Sequence, residues 1–295
     1  MTERQKEKIV ATVDQFRFER VRAPWIKRRL KLKGVSVRVV QRTVQEAGYK
    51  LPKLIDRRVL DAGTKQKRVK WAEERLRHNS VYWGKRVFGD AHWWHIPRSA
   101  AELAAARGAA KGPVHRKPKE KDDPRFHGGK KGVFKQGRRV GLFGVLTGGV
   151  LRTVLRTVWY EGPSESAGDF VRAVEKAQAK FLQTGKKELY LDGMGSYHGA
   201  EAAAALKGAG FRKVEKVPPN SPDLNPIENA WARLDDRMAA TDPEELETNQ
   251  EFKARAENAL RWLNRNEAEG PTNMVESMQR RLGAVIKLKG ARTSY

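Results

Sequence analysis

The sequence contains no cysteine. Disulfide bridges, zinc sites built from thiolates and catalysis by a cysteine nucleophile are therefore excluded. Its six histidines include no His-Glu-x-x-His pair, the spacing with which one helix face holds a hydrolytic zinc ion. A metal bound by this chain would be held by carboxylates, which are the ligands that suit Mg²⁺ or Mn²⁺.

Long apolar runs are also missing. No stretch approaches the roughly 18 residues that a membrane-spanning helix needs, so we expect no membrane partner. Acidic residues are scarce beside basic ones: 35 Asp and Glu stand against 60 Lys and Arg, which gives a net charge of +25 over 295 residues. A positive field of this size attracts polyanions, so the composition favours a nucleic acid as the partner.

Residues 1–52 are predicted to form a small all-α domain. Pro24 suits a helix start and Gly34 a helix end, while Ser36 can cap a further helix that ends at Gly48. Apolar residues recur along that helix at steps of three and four, and its opposite face carries four polar residues, Arg38, Gln41, Arg42 and Gln45. This order is typical of a DNA-reading helix-turn-helix and equally of a plain helical hairpin with a solvated surface.

The charge balance favours the DNA-binding interpretation, in which Arg38, Gln41, Arg42 and Gln45 read base edges. The basic run Lys27, Arg28 and Arg29 would then contact phosphate; a solvated face or a nuclear import signal explains the same run.

The rest of the chain is predicted to be a linker with a basic helix over 53–80, followed by an α/β domain over 81–295. Within that domain, residues 97–139 are rich in Gly, Lys and Arg and predict a long basic loop, with a short helix near 99–110. The segment after it predicts a β-hairpin that turns at Gly148-Gly149. Asn225-Pro226 is predicted to open a helix with a buried stripe, formed by Ile227, Trp231, Leu234 and Met238.

Three acids stand where an α/β sheet gathers its sites. Asp90 and Asp192 are predicted at strand ends, and Glu228 lies in the first turn of the helix after a proline-rich loop. Converging carboxylates repel one another unless cations neutralise them, and two metal ions roughly 3.5–4 Å apart can clamp a scissile phosphate. Each acid alone has a structural explanation as well, because Asp favours turns and Glu complements the helix dipole.

Four further polar residues near these acids have predicted supporting roles. His198 is either a partner of a metal ligand or phosphate, or the cap of the next helix. Asp223 and Asn225 are predicted to brace the proline-rich loop by hydrogen bonds to backbone. Asp235, seven residues after Glu228, has two interpretations, a side chain that faces the site and a solvated charge, and the solvated charge is favoured.

Three sequence blocks resemble a known family. The stretch PPNSPDLNPIENAWARLDDRM around Glu228 resembles the segment with the third acid of mariner-like DDE transposases. LYLDGMGSYHGA resembles the second-acid block of that family, with Asp192 and His198 at matching places, and KRVFGDAHWW resembles the first-acid block. The spacing from Asp192 to Glu228 is close to that of the family, and the resemblance covers about residues 65–295.

The resemblance implies a ribonuclease-H-like catalytic domain in which Asp90, Asp192 and Glu228 bind two Mg²⁺ (or Mn²⁺) ions. The implied activity is cleavage of double-stranded DNA at transposon ends, followed by attack of the freed 3′-OH on target DNA, usually at a TA dinucleotide. A homodimer assembled on the DNA is implied too. The expected location is the nucleus in a eukaryotic host and otherwise the cytoplasm, at the nucleoid.

The chain departs from the family pattern at three points. Ala91 follows the first acid where Glu is usual, Gly193 follows the second where Asn is usual, and the N-terminus has room for about one helix-turn-helix unit where two are common. A transposase-derived DNA-binding protein without cleavage activity is therefore the alternative function. A nuclease acting on RNA or hybrid strands is disfavoured by the predicted helix-turn-helix.

Overall fold

The structure is a computed structural model that describes residues 1–15, 23–49, 60–103, 137–148, 154–185, 188–241, 245–265, 272–293 and 295. Two compact units are distinguished: one comprises residues 1–55, 95–138 and 237–248, and the other comprises residues 56–94, 139–236 and 249–295. Most of the predicted basic loop over 97–139 and the second residue of the predicted Gly148-Gly149 turn lie outside the described residues.

The N-terminal part of the first unit contains three helices, Glu3–Gln15, Ala23–Arg29 and Val37–Glu46. Their apolar faces share one core, in which Ile9, Ile26 and Val40 are fully buried. The predicted cap is confirmed, because Ser36 Oγ accepts a hydrogen bond from Val39 N at 3.3 Å. A helical N-terminal region therefore precedes the sheet, as predicted.

The second helix is shorter than the sequence predicted. It ends at Arg29 and does not reach Gly34. Lys31 adopts the left-handed conformation with φ 49°, and Leu32 N donates to Lys27 O at 3.0 Å, which closes the helix. Gly34 lies in the following turn with φ 72°.

A five-stranded mixed sheet forms the centre of the second unit. Its strands are β1 Val87–Ile96, β2 Arg138–Thr147, β3 Val154–Trp159, β4 Glu188–Leu191 and β5 Lys213–Lys216. Their spatial order is β3-β2-β1-β4-β5. β2 and β3 are antiparallel, whereas β4 is parallel to both β1 and β5. The predicted α/β class is thereby confirmed.

The second unit also contains α-helices. They are Ala62–Arg75, Ser80–Gly84, Ala167–Lys176, Gln178–Leu182, Ala200–Gly208, Ile227–Ala240, Asn249–Arg265, Thr272–Glu276 and Met278–Lys287. A core cluster joins Phe143 of β2 and Leu189 of β4 to Phe170, Phe181 and Leu206 from three of these helices. Among the described residues, none of the helices has both the length and the apolar character to cross a membrane.

Asp90 is not at a strand end, and that prediction was wrong. It lies within the ten-residue strand β1, which continues to Ile96. The reason is that the two neighbours of β1 differ in length. β4 has only four residues, whereas β2 has ten, so β1 extends past β4 while it still has a neighbour in β2.

The helix after the proline-rich loop begins at Ile227, as predicted, and runs to Ala240; it is called the Glu228 helix below. Its predicted stripe is confirmed, since Ile227, Trp231, Leu234 and Met238 are all buried. A short 3-10 helix, Pro222–Leu224, precedes it. The loop therefore leads through one tight turn directly into the helix that carries Glu228.

Candidate active site

The register of two parallel strands places the first two acids side by side. β1 pairs with β4 so that Val87 faces Leu189 and Phe88 faces Tyr190. Continuing this register by two residues brings Asp90 level with Asp192. Neighbouring strands lie about 4.8 Å apart, so the two aspartates lie side by side along adjacent strands.

The third acid is held to the same place by its loop. Glu228 N donates to Asn225 O at 3.2 Å. The side chain of Asn225 in turn donates through Nδ2 to Gly89 O at 3.2 Å, in a buried setting. Because Gly89 directly precedes Asp90, one asparagine connects the start of the Glu228 helix to the strand that carries the first acid.

The charges of the three acids act on one another. The pKa of Asp90 is raised well above its usual range, first by burial and then by the negative charges of Glu228 and Asp192. Hydrogen bonds from Trp231 and from the backbone of Ala91 lower this pKa in part. Three carboxylates within electrostatic reach of one another need a proton or a cation to neutralise them.

The side chains suit a metal in chemical type. They supply only carboxylate oxygens, which are the ligands of hard cations such as Mg²⁺ and Mn²⁺. As they stand, however, no three His, Asp or Glu side chains among the described residues are grouped closely enough to hold an ion. One oxygen of Asp192 also accepts a hydrogen bond from Met194 N at 2.9 Å.

A buried ion pair fixes the proline-rich loop from behind. Arg68 and Asp223 form two parallel bonds, Nη1 to Oδ1 at 2.8 Å and Nη2 to Oδ2 at 2.7 Å. Their side chains are only 0% and 4% exposed. Burial alone would raise the pKa of Asp223, but the hydrogen bonds and charge of Arg68 and the N–H of Thr293 outweigh burial and lower it.

The same pair also forms hydrogen bonds with the C-terminal segment. Arg68 donates to Gly290 O at 2.9 Å and to Ala291 O at 3.2 Å, and Thr293 N donates to Asp223 Oδ2 at 2.8 Å. Arg281, also buried, donates to Asp223 O at 2.7 Å. A helix from the predicted linker, the loop before Glu228 and the chain end therefore meet at one ionic centre.

His198 contacts the second acid block. Its Nε2 donates to Asp192 O at 2.7 Å. The next helix, Ala200–Gly208, has Gly199 at its N-cap position and no side-chain capping bond. Of the two predicted roles, the structure shows His198 bonded to the backbone of an acid and does not show it as a cap.

Asp235 is partly solvated, with its side chain 39% exposed, but it also has partners that the sequence did not predict. Its Oδ1 accepts hydrogen bonds from His92 Nε2 and from Trp94 Nε1, both at 2.9 Å. Sequence reasoning also missed Trp231 as a polar group: it was assigned to the core alone, yet its Nε1 donates to Asp90 Oδ2 at 3.1 Å. The available signal was its position three residues after Glu228, on the same side of the helix.

The residues predicted to read DNA are exposed on one helix, and all four of them, Arg38, Gln41, Arg42 and Gln45, face solvent. The predicted phosphate contacts differ from them. Arg28 donates to Ala240 O at 2.6 Å, and the Arg29 guanidinium lies 5.2 Å from the centre of the Trp25 ring. One N–H group of Arg28 therefore forms a hydrogen bond within the protein.

A comparison with known protein families gives a match for the central region of the chain. Residues 113–250, which include Asp192 and Glu228, match the family model described as DDE superfamily endonuclease. The chain has no significant sequence match among curated proteins.

Solved structures of Mos1 mariner transposase share the fold. Its catalytic domain is similar over 80% of this chain and 98% of its own length, with TM-score 0.52 and 12% identity. Its strand transfer complex is similar over 98% and 79%, with TM-score 0.53 and 15% identity. Its paired-end complex with Mg is similar over 100% and 82%, with TM-score 0.51 and 12% identity.

We predict that Asp223→Asn lowers the free energy of unfolding by about 3–5 kcal/mol, because it leaves the buried charge of Arg68 uncompensated. Denaturant unfolding of the full chain measures this loss. The control is Glu215→Gln, which breaks a more exposed pair with Arg75 at 3.3 Å and should change stability by about 0–1 kcal/mol. Equal losses in the two variants would contradict the central place of the buried pair.

We predict that Asp90→Asn stabilises the metal-free protein in a pH-dependent way. Because the folded-state pKa of Asp90 is raised, the wild type loses stability as pH rises above about 4, the ordinary Asp value, toward the folded pKa. The variant cannot ionise. Its melting temperature should therefore match the wild type near pH 4 and exceed it near pH 7–8, by roughly 2–4 °C for each kcal/mol gained.

Thermal melts in EDTA across this pH range test the prediction. Asp61→Asn is the control of opposite sign, because hydrogen bonds from Thr64 lower the pKa of Asp61. Because a lowered pKa affects stability only below about pH 4, the ordinary Asp value, that variant should lie below the wild type by a nearly constant margin from pH 5 to 8, with no rise. A melting temperature of Asp90→Asn that stays equal to the wild type at pH 8 would show that the three acids do not repel one another.

Proposed function

We propose, from the premise that its central region belongs to the DDE superfamily of endonucleases, that this protein is a DNA transposase of the mariner-like type. It would cleave DNA at transposon ends and join the freed 3′-OH to target DNA. The observation that carries the proposal is that the strand register brings Asp90 level with Asp192, and that the charges of Glu228 and Asp192 both act on Asp90. The basic composition of the chain supports DNA as the substrate.

In this proposal the three carboxylates hold two Mg²⁺ or Mn²⁺ ions. When bound, such ions activate the attacking oxygen, stabilise the leaving oxygen and neutralise charge on the phosphate. The protein itself supplies position. Asn225 ties the Glu228 helix to the strand of Asp90, Arg68 and Asp223 fix the loop, and His198 holds the backbone of Asp192. These contacts restrict the movement of the three carboxylates and so help to hold them near a common point.

We assign DNA recognition to the N-terminal helices and chemistry to the sheet. The proposed division is 1–52 for the helix-turn-helix domain, 53–80 for the linker with its basic helix and 81–295 for the catalytic domain. Similar solved structures include a strand transfer complex and a paired-end complex of Mos1. By analogy, this protein would pair two DNA ends as a homodimer, in whichever compartment holds the host DNA.

A DNA-binding protein without cleavage activity is the second candidate. The observation that favours it is the absence of a ready three-ligand group among the described residues, together with Ala91 and Gly193 beside the first two acids. Both candidates predict DNA binding. They differ in whether divalent metal supports strand cleavage.

We predict that Glu228→Gln abolishes cleavage while folding and DNA binding stay near normal, because the substitution keeps size and removes only the charge. Cleavage is measured by nicking of duplex DNA that carries the inverted repeat flanking the gene, with Mg²⁺, Mn²⁺ or EDTA. A fall of about 10²-fold or more is expected, in the range seen when one group that stabilises transition-state charge is removed.

The matched control for this experiment is Glu201→Gln. Glu201 is also an acid in the first turn of a helix and is exposed, so it complements a helix dipole in the same way. Full activity of Glu228→Gln with a lowered melting temperature would show that Glu228 only complements the helix dipole. Specific DNA binding with no cleavage by the wild type in any metal would favour the second candidate function.

We predict that replacing Arg38, Gln41, Arg42 and Gln45 together by Ala removes sequence preference in DNA binding. Base-edge contacts give discrimination, at about 1–3 kcal/mol per bidentate pair, whereas phosphate contacts give affinity that falls with salt. Binding of the flanking repeat and of a scrambled duplex is compared by titration across salt concentrations.

The control for this comparison removes the same number of positive charges elsewhere, as Arg4→Ala with Lys8→Ala on the exposed side of the first helix. It should preserve the ratio between repeat and scrambled duplex. A fourfold-substituted protein that still prefers the repeat as strongly as the wild type would show that another surface reads DNA.

A further inference from the structure

Two side chains of one strand meet two side chains of one helix beside the acids. On β1, Asp90 and His92 are two residues apart and so project from the same face. On the Glu228 helix, Trp231 and Asp235 are four residues apart and so lie one above the other. Trp231 Nε1 donates to Asp90 Oδ2 at 3.1 Å, and His92 Nε2 contacts Asp235 Oδ1 at 2.9 Å.

The ring of Trp231 is wedged in place. It is 2% exposed and stacks on His92 with ring centres 5.3 Å apart and planes 16° apart. On another side it lies over Gly144 of β2, where an added Cβ would come within 2.5 Å of the ring. The glycine makes this close approach possible, and the packing leaves the indole N–H little freedom in direction.

A carboxylate oxygen that accepts one hydrogen bond keeps further lone pairs, because the ionised group has about four acceptor sites. The indole N–H can therefore fix how the Asp90 carboxylate is turned without consuming its capacity to bind a cation. Trp231 is also placed on the helix of Glu228, three residues later. A single side chain thus sets the first acid relative to the element that carries the third.

We propose that Trp231 is a positioning residue for the site: its N–H orients the Asp90 carboxylate for divalent metal, and its ring fixes the spacing between β1 and the Glu228 helix. This inference rests on the proposed function, since it assigns Asp90 as a metal ligand. Partners of metal ligands typically contribute 10–100-fold in metal affinity or activity.

The test separates the N–H from the ring. Benzothienylalanine, which replaces the indole N–H by sulfur at nearly constant shape, is introduced at position 231 of the full chain by nonsense suppression. Trp231→Phe is made as a second variant that loses both the donor and part of the ring. Mn²⁺ affinity of each protein is measured by electron paramagnetic resonance titration, with no DNA present, and kcat and KM are measured for nicking of the flanking-repeat duplex.

The expected result is a fall of about 10-fold or more in Mn²⁺ affinity and kcat for the isosteric variant. Its KM for DNA and its melting temperature without metal should stay near the wild-type values. A residue that only fills space would leave metal affinity unchanged in this variant. The same replacement at Trp159 is the matched control, because its Nε1 also donates to a carboxylate at 3.1 Å, that of Glu257, and it should leave all four quantities unchanged.

Wild-type Mn²⁺ affinity and kcat in the isosteric variant would overturn the inference, even if Trp231→Phe were destabilised. The failure of the proposed function is a separate result. In that case the wild type would bind no Mn²⁺ and Glu228→Gln would change nothing, and the inference would fall with it. Reduced affinity at position 231 and normal affinity at position 159 would support it.

Discussion

The buried pair of Arg68 and Asp223 is the interaction on which the rest of the site depends. Two charges taken out of water are stable only with good geometry and with their remaining bonding capacity filled. Here the geometry is bidentate, and Ser221, Thr293 and two carbonyls of the chain end fill much of the remaining capacity. Several segments form hydrogen bonds with this one pair. None of them can therefore shift without leaving a buried charge with fewer hydrogen-bond partners.

Position in the site is built outward from that pair in short steps. Asp223 holds the loop, Asn225 joins the loop to Gly89, and Gly89 precedes Asp90. The burial of Asp90 and its repulsion by Glu228 and Asp192 work against this order, and together, burial first, they raise the pKa of Asp90. Stability is often given up where a site requires like charges to gather.

The sequence predicted those features that depend only on neighbouring residues, such as helical spacing and helix caps. The stripe from Ile227 to Met238 follows from helical spacing, and the cap at Ser36 follows from its side chain. Asp90 within β1 could not be predicted in the same way, since strand length depends on the neighbours in the sheet. The partners of Asp235 lie 143 and 141 residues away, and in the sequence Arg68 is one more cation of a basic helix. Only the fold shows that His92 and Trp94 reach Asp235 and that Arg68 is fully buried.

The register between β1 and β4 has a consequence for how the protein comes into being. Side chains of a strand alternate between faces, so a slip of one residue would send Asp192 to the wrong side and bring Leu191 to its place. Leu189, Tyr190 and Leu191 are all buried, so such a slip would exchange the side chains that pack on the two covered faces of the strand. The same alignment thus decides whether the sheet packs correctly and whether Asp90 lies beside Asp192. A nascent chain that has not yet aligned β1 with β4 therefore keeps Asp90 and Asp192 apart, and the two acids become neighbours only once the sheet has formed.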